Sequence, residues 1–382
     1  MFRIPNANVK QIYSHVVSNP EGYNVISIKF PDNLGLIYDA VSRKISGCPL
    51  ISGDLEITTI LQDKNSSRIE IKSKFIVNPD PKDLWKNIEP PKDGIYYKNN
   101  TDRQYIQSNG FKIVAASRRG RSHEHNGSFR DDDFFVNCIG DSKWSILIVA
   151  DGAGGSKNSR QGSRIAVKSI GEQLTQDMQN GLMNLLDRNI DIWEKDMAKA
   201  VENIKEPLND VFKNASFAAV EKIEEEASKN NYLFKDFSTT VLAAIIKRDL
   251  NDTFIATFWV GDGAIAAFGP ERKIRLMGSP DAGEFAGQTR FLDKNILNDQ
   301  EFKKRCSIGK FSKITSIILM TDGVSDPYFE TDAGLNDEAK WEKLWSEIDE
   351  KLNLDNPAES LLDWLNFFSV GHHDDRTIAV LC

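Results

Sequence analysis

Hydrophobic and polar positions divide the chain into three stretches of different rhythm. Over residues 1–78 short β-rich segments recur, NVISIKF, GLIYDA and DLEITTIL, and RIEIKSKFIV alternates charged and apolar residues like a strand with one face in water. Turn signals at Pro31-Asp32, Ser46-Gly47 and Ser52-Gly53 separate them, the pattern of a small antiparallel β-sandwich. Residues 79–108 lose the period: Pro79-Asp80-Pro81, Pro90-Pro91, Asp93-Gly94 and Asn99-Asn100 break it, and the stretch reads as a linker, with Trp85, Tyr96 and Tyr97 packing on a neighbour. Over 109–382 strand-like and helix-like blocks alternate. FKIVAAS, DDDFFVNCIG and WSILIVA read as strands, and Ala166, Ile170, Leu174 and Met178 mark one helix face. Trp193, Met197, Val201, Ile204, Leu208 and Val211 continue at steps of three and four, with Pro207 expected to kink or break the helix. STTVLAAIIKR and TFIATFWVGDG form a hairpin about Asn251-Asp252, and AIAAFG and KIRLMG are short strands. Residues 279–312 read as an irregular insertion. SKITSIILMTDG is a strand and turn, a helical block runs from Trp341 to Phe368, and GHHDDRTIAVLC closes the chain as a strand.

The segment WSILIVADGAGG changes this picture most. Seven mostly apolar residues, Trp144 to Ala150, end abruptly at Asp151-Gly152, as a buried strand ends at a turn. Gly152, Gly154 and Gly155 let the backbone turn sharply and pass close to a ligand. Asp-Gly alone is a turn dipeptide, but acids abut strand ends repeatedly: Asp131-Asp132-Asp133, Asp151, Asp262, Asp322 with Asp326, and Asp374-Asp375. Carboxylates brought together at strand ends repel one another unless a cation shares them. With oxygen ligands and no Cys/His set, the fitting ions are Mg²⁺ or Mn²⁺. GAGGSK satisfies neither the P-loop nor the dinucleotide fingerprint.

Composition narrows the class further. The chain has 382 residues, 40% hydrophobic and 27% charged, an ordinary globular balance for two domains. A net charge of −8 without a basic block disfavours a nucleic-acid partner. No apolar run approaches the roughly 20 residues of a membrane span. The N-terminal stretch has no continuous apolar core like that of a secretory signal. Cys48, Cys138, Cys306 and Cys382 are scattered, as expected of reduced thiols in a cytoplasmic protein.

Two resemblances follow from quoted motifs. Gly35, Leu36, Asp39, Ile45, Ser46, Gly47, Pro49 and Gly53 resemble the pattern of bacterial immunoglobulin-like modules over about half of residues 1–78. The ordered set GRSHEHNGSFRDD, VADGAGG, STTVLAAI, WVGDG, MTDGVSD and DDRTIAVL resembles the metal-dependent protein phosphatases of type 2C, their bacterial branch above all. That second resemblance implies an α+β fold: an α-β-β-α sandwich of two packed sheets flanked by helices, preceded here by the small all-β immunoglobulin-like module. It implies a serine/threonine protein phosphatase working with a metal-activated water at a binuclear Mn²⁺ or Mg²⁺ centre. Asp151 would bridge two ions, with the Gly152 carbonyl on one. Asp322 and Asp374 would complete one ion, Asp131 would face the other, and Asp132 would act through water. Asp262 and Asp326 match a third, weaker metal position.

Alternatives stand within this scheme. Asp375 is an alternative to Asp374, although the spacing to Thr377 favours Asp374; Asp133 replaces Asp131 or Asp132 if the register slips by one. The chain also departs from the family twice. Ala153 stands where many relatives carry His, a proton donor to the leaving group. HNGSF stands where many carry a phosphate-gripping Arg, with only Arg118, Arg119, Arg121 and Arg130 nearby. His123 is the candidate replacement for the acid; the alternative is that metal-ordered water donates and His123 is a solvated bystander. The expected partner is a phosphoprotein opposed by a Ser/Thr kinase in signalling, with residues 1–78 as a protein-docking module. The rival is a catalytically weak or inactive type 2C-like binding or regulatory module.

Overall fold

The structure is a computed structural model that describes residues 4–108, 110–269, 273–278, 280 and 289–382. The chain divides into two compact units, Met1–Lys86 and Asn87–Cys382. In the first, seven strands form two small sheets: β1 (Ala7–Asn8), β2 (Tyr13–Val16), β3 (Tyr23–Lys29), β4 (Leu36–Asp39), β5 (Lys44–Gly47), β6 (Gly53–Asp63) and β7 (Arg68–Asn78). The orders are β1-β7-β6-β3 and β2-β5-β4, and pairing is antiparallel except between β1 and β7. Alternate residues of both sheets, among them Val25, Leu36, Ile45, Ile57, Leu61 and Phe75, share one core.

The second unit is built on strands whose apolar runs are continuous because both faces are covered. Its strands are β8 (Thr101–Ser108), β9 (Phe111–Arg118), β10 (Asp133–Cys138), β11 (Trp144–Ala150), β12 (Val241–Arg248), β13 (Asp252–Val260), β14 (Ala264–Phe268), β15 (Ile274–Leu276), β16 (Cys306–Ser312), β17 (Ser316–Met320) and β18 (Arg376–Leu381). They form a five-stranded sheet, β10-β11-β12-β13-β16, and a six-stranded sheet, β15-β14-β17-β18-β9-β8, antiparallel throughout. Its helices are α1 (Arg121–Asn126), α2 (Ser159–Asp177), α3 (Met183–Ile192), α4 (Met197–Lys229), α5 (Lys294–Asn298), α6 (Asp322–Phe329), α7 (Glu338–Leu352) and α8 (Pro357–Trp364).

Strand β11 shows the logic. Trp144, Ile146, Ile148 and Ala150 pack with Ala166, Ile170 and Leu174 of α2 and Ile204 and Phe212 of α4. Leu147 and Val149 point the other way and join Val114, Ile318 and Val380 of the facing sheet. Strand β12 divides likewise, Val241, Ala243 and Ile245 outward to the helices, Leu242, Ala244 and Ile246 inward. Each buried aliphatic side chain contributes about 1.5–3 kcal/mol, so the strand pair is held rigidly on both sides. On the outer side of the six-stranded sheet, Trp341, Leu344 and Ile348 of α7 and Leu361 and Leu362 of α8 complete an α-β-β-α sandwich. No helix among the described residues is long and apolar enough to cross a membrane.

Four readings of the sequence change. Residues 79–108 are not uniformly a linker: Pro81–Leu84 is a short 3-10 turn and β8 is an eight-residue edge strand. Being mostly exposed, β8 needs few apolar residues and so carries no visible period. The stretch 279–312 contains α5 and edge strand β16, and its residues 281–288 lie outside those described. The hairpin after β12 turns at Asp249, Leu250 and Asn251, with Asp252 already in β13. Finally, Pro207 lies inside α4, which runs unbroken for 33 residues. A proline removes one intrahelical N–H donor and crowds the preceding turn, but Ala200, Ile204, Leu208, Phe212, Ala215 and Ala219 anchor α4 to the sheet on both sides of it. Pro207→Ala should therefore stabilise the chain by about 1–2 kcal/mol, the restored helical bond partly offset by a freer unfolded chain. Thermal melts check this: Tm should rise by a few degrees, and a fall would show that α4 needs the bend proline imposes.

Candidate active site

The antiparallel registers bring eight strand ends together, four at one end of each sheet. Asp133 pairs with Ala150, Val149 with Leu242 and Val241 with Val260, so the start of β10, the end of β11, the start of β12 and the end of β13 lie side by side. In the other sheet Ala264 pairs with Met320 and Arg376 with Arg118. The expected acids all sit on these ends. Asp151 follows β11, Asp131 and Asp132 precede β10, Asp262 lies in the β13–β14 turn, Asp322 opens α6, and Asp374 and Asp375 precede β18.

Backbone contacts hold the Asp151 turn still. Its N–H donates to Thr240 Oγ1 at 2.9 Å, its carbonyl accepts from Thr240 N at 2.8 Å and Thr239 Oγ1 at 2.9 Å, and Ala153 N donates to Ser238 O at 3.0 Å. Gly152 must be glycine, because a Cβ would stand 2.8 Å from the Asp131 carbonyl oxygen and 2.9 Å from Ser159 Cβ. Carboxylate oxygens of Asp151, Asp262 and Asp322 lie within 4.8 Å of one another, and so do ligand atoms of His123, Asp374 and Asp375. Asp326, one turn along α6 from Asp322, shares with it and Asp374 a cleft of about 260 Å³ that Ser122, Gly371, His372 and His373 also line.

Asp375 and Asp374 have separate environments. Asp375 is buried: Oδ1 accepts from Gly120 N at 2.5 Å and meets His123 Nδ1 at 3.0 Å, while Oδ2 accepts from Asp131 N and, at 3.4 Å, from Asp132 N. Burial pushes its carboxyl up, but His123 and these donors outweigh burial and hold it below the usual range. Gly120 permits this approach, since a Cβ there would lie 2.2 Å from the Asp374 carbonyl carbon. Asp374 opens on the cleft instead. Asp133 is likewise taken up, paired with Lys98 at 2.9 Å. His123 keeps Nε2 3.7 Å from Asp131 Oδ2. Burial opposes its charge, but Asp375, Asp131 and Asp374 raise its pKa to about 10.

The remaining acids are crowded. Burial and then Asp375 raise Asp131 to about 6 and Asp132 to about 7; burial and then Asp262 raise Asp326 to about 6. Asp151 is raised well above the carboxylate range by burial, Asp322 and Asp132, and Asp322 by burial, Asp262 and Asp374; Asp374 is raised too, by burial and Asp375. Thr321 Oγ1 donates to Asp132 Oδ2 at 2.8 Å and Thr289 to Asp262 Oδ2, yet buried Oδ1 of Asp132, Asp262 and Asp322 has no protein donor. Buried oxygens without partners in an all-oxygen donor set fit divalent cations of the Mg²⁺ or Mn²⁺ type.

The model of the family described as protein phosphatase 2C matches residues 119–366, more than half of the chain. The chain belongs to the protein phosphatase 2C family. Among curated proteins no match is found. Solved structures similar to this chain include a bacterial serine phosphatase (16% identity, 70% of this chain and 96% of that one, TM-score 0.42). Others are the serine/threonine phosphatase Stp1 from Staphylococcus aureus (15%, 74% and 98%, 0.42) and the PstP catalytic domain, solved with two manganese ions (17%, 71% and 97%, 0.41). Membership rests on the family match.

Within this phosphatase 2C domain, the arginines noted in the sequence are largely committed to the fold. Arg130 donates to Ser117 Oγ, to Asp132 O at 3.0 Å and to Asn99 O at 3.2 Å. Arg119 holds Ser128 O at 3.1 Å and Asn87 Oδ1 at 2.7 Å, and Arg121 holds Asn366. Sequence reasoning missed the donors around the acids: Thr239 and Thr240, Thr321, and Lys98. Thr239 and Thr240 directly before β12 and Thr321 directly after β17 were readable signals; Lys98, in the aperiodic stretch, had none.

The shifts set a pH dependence for the metal-free protein. Carboxyls raised in the folded state stabilise it fully below pH ~4, their unfolded pKa, and that contribution is lost as pH rises through about 6 to 7. His123, raised to about 10, loses its contribution in the same direction above pH ~6.5; His373, lowered by burial and neighbouring arginines, opposes slightly. In EDTA, Tm should fall between pH 5.5 and 7.5, and excess Mg²⁺ should remove that fall. A metal-free Tm that climbs over this range would contradict the crowding.

Proposed function

We propose that this chain is a metal-dependent serine/threonine protein phosphatase that hydrolyses phosphoprotein monoesters. The observation that carries this reading is the set of buried, donorless carboxylate oxygens on Asp132, Asp262 and Asp322 around Asp151, within a phosphatase 2C domain. Asp151, with the Gly152 carbonyl, would take the central, shared place for two ions; Asp322 and Asp374 would hold one, Asp131 and, through water, Asp132 the other, and Asp262 and Asp326 a third. Mn²⁺ or Mg²⁺ held there supplies positive charge to the phosphoryl oxygens and lowers the pKa of water. The chain's own groups do the rest. Thr321 fixes Asp132 so that its other oxygen orients water toward phosphorus. As the phosphorus–oxygen bond breaks, the serine or threonine oxygen needs a proton. His123 Nε2, on the Asp131 side of the ring, would carry one while Nδ1 is braced on Asp375. The first unit, read as an immunoglobulin-like module, serves as a docking unit for the phosphoprotein, which a kinase phosphorylates. Four free cysteines accord with the reducing cytoplasm.

Asp151→Asn tests the site. One central charge is lost, so turnover of an aryl phosphate in Mn²⁺ should vanish, while the metal-free Tm holds or rises as repulsion falls. Wild-type turnover at wild-type Mn²⁺ levels would remove the bridging role, and a wild-type chain inert with every divalent ion would favour a binding module.

His123 is tested by substrate choice. An aryl phosphate has a good leaving group, whereas a seryl or threonyl oxygen needs protonation, a contribution of roughly 10²–10⁴-fold from a well-placed acid. His123→Ala should slow a phosphothreonine peptide far more than an aryl phosphate. Equal, small losses on both would leave His123 as a brace for Asp375.

A further inference from the structure

Lys98 lies at the end of a strap that the sequence reads as linker, yet its ammonium is buried, 4% exposed. The three residues before it, Ile95 to Tyr97, are held within the second unit. Arg160 donates to Ile95 O at 2.8 Å and to Tyr96 O at 3.1 Å, and Arg164 donates to Tyr97 O at 2.8 Å. The Tyr96 ring meets Phe237 edge-on and the Tyr97 ring meets Phe129. At the end of this strap Nζ reaches four acceptors: Asp133 Oδ2 at 2.9 Å, Ser163 Oγ at 3.2 Å, Arg160 O at 3.3 Å and Asp131 O at 3.4 Å. Two belong to the acidic segment before and at the start of β10, and two to the first turns of α2, the helix that follows the Asp151 turn. Ser163 Oγ also donates to Asp131 O, closing the triangle.

We infer that Lys98 is a positioning residue for the metal centre, tying the backbone at Asp131 to the start of α2 so that Asp131 and Asp151 keep a fixed separation. This rests on the phosphatase reading. Two bland roles compete with it, neutralising Asp133 and acting through charge alone, and each predicts a different result. A cation beside an anionic centre repels a second cation, so by charge alone its removal should tighten metal binding. As a partner for Asp133 it would matter only while Asp133 is charged, because a buried pair replaced on both sides is tolerated where a broken pair is not. As a tether on the Asp131 carbonyl it matters in either case.

The experiment uses the full chain with four variants of one cycle: wild type, Lys98→Met, Asp133→Asn and the double variant. Mn²⁺ binding is titrated by calorimetry and Tm is measured in EDTA. The tether predicts that Lys98→Met lowers Tm and weakens Mn²⁺ binding about 10–100-fold, the usual cost of losing a group that orients a ligand. The double variant should recover Tm, since no charge is left unpaired, but keep the weak Mn²⁺ binding. Asp133→Asn alone should bind Mn²⁺ within about threefold of wild type, well below that 10–100-fold loss. If Lys98→Met does not fold, the double variant still decides. Wild-type Mn²⁺ affinity in the double variant, tighter binding in Lys98→Met, or equal weakness in Asp133→Asn each overturns the tether while leaving the phosphatase reading intact. A wild-type chain that binds no Mn²⁺ overturns both.

Discussion

Burial of carboxylates that also repel one another, at the ends of two sheets, is the constraint on which this structure turns. Asp131, Asp132, Asp151, Asp322, Asp326 and Asp374 are all displaced toward their neutral forms, by burial first and by neighbouring carboxylates second. A pliable scaffold would relieve such crowding by letting the ends spread. Here it cannot, because β11 and β12 are packed on both faces, to α2 and α4 outside and to the second sheet inside. The cost of crowding is therefore carried by the interior of a large sandwich, and in the proposed reading a divalent cation would offset it.

The same economy explains why neighbouring acids differ. Asp375 and Asp374 are adjacent in sequence, yet one is surrounded by Gly120, Asp131 and Asp132 amides and by His123, while the other is left to the cleft. Asp133 and Asp132 form a second such couple, Asp133 neutralised by Lys98 and Asp132 left with one oxygen open. In each couple one residue is taken up by the fold, while the other has fewer protein donors, Asp374 facing the cleft and Asp132 keeping one oxygen without a donor. A double acid beside the start of a strand thus divides labour, its two side chains entering different surroundings.

Much of this was legible in the sequence because the physics was local. Continuous apolar runs such as WSILIVA report strands covered on both faces, and Asp-Gly after such a run reports a sharp turn at a sheet end. The acids were legible because carboxylates at strand ends are counted, not folded. What was illegible was whatever depended on partners far along the chain. Edge strands β8 and β16 need little apolar surface, so their period is faint. Pro207 forbids a helix locally, and only the packing of α4 overrides it. The duty of Arg130, bound to Ser117 and the Asp132 carbonyl, could not be told from that of a phosphate-gripping arginine by position alone.

The strap from Ile95 to Lys98 shows why aperiodic chain should not be equated with idle chain. Periodicity reports amphipathic surfaces, and this segment has none to report, since its carbonyls and one ammonium do the binding. Arg160 and Arg164 on α2 donate to three successive carbonyls of the strap, and those same first turns of α2 present Arg160 O and Ser163 Oγ to Lys98. Helix and strap therefore brace each other before either touches the acids. A lysine placed without such a platform would lose its long side chain's rotamer freedom for one ion pair and return little. Held by the strap, it meets buried acceptors whose positions are already set, and the acidic segment before β10 is tied to α2.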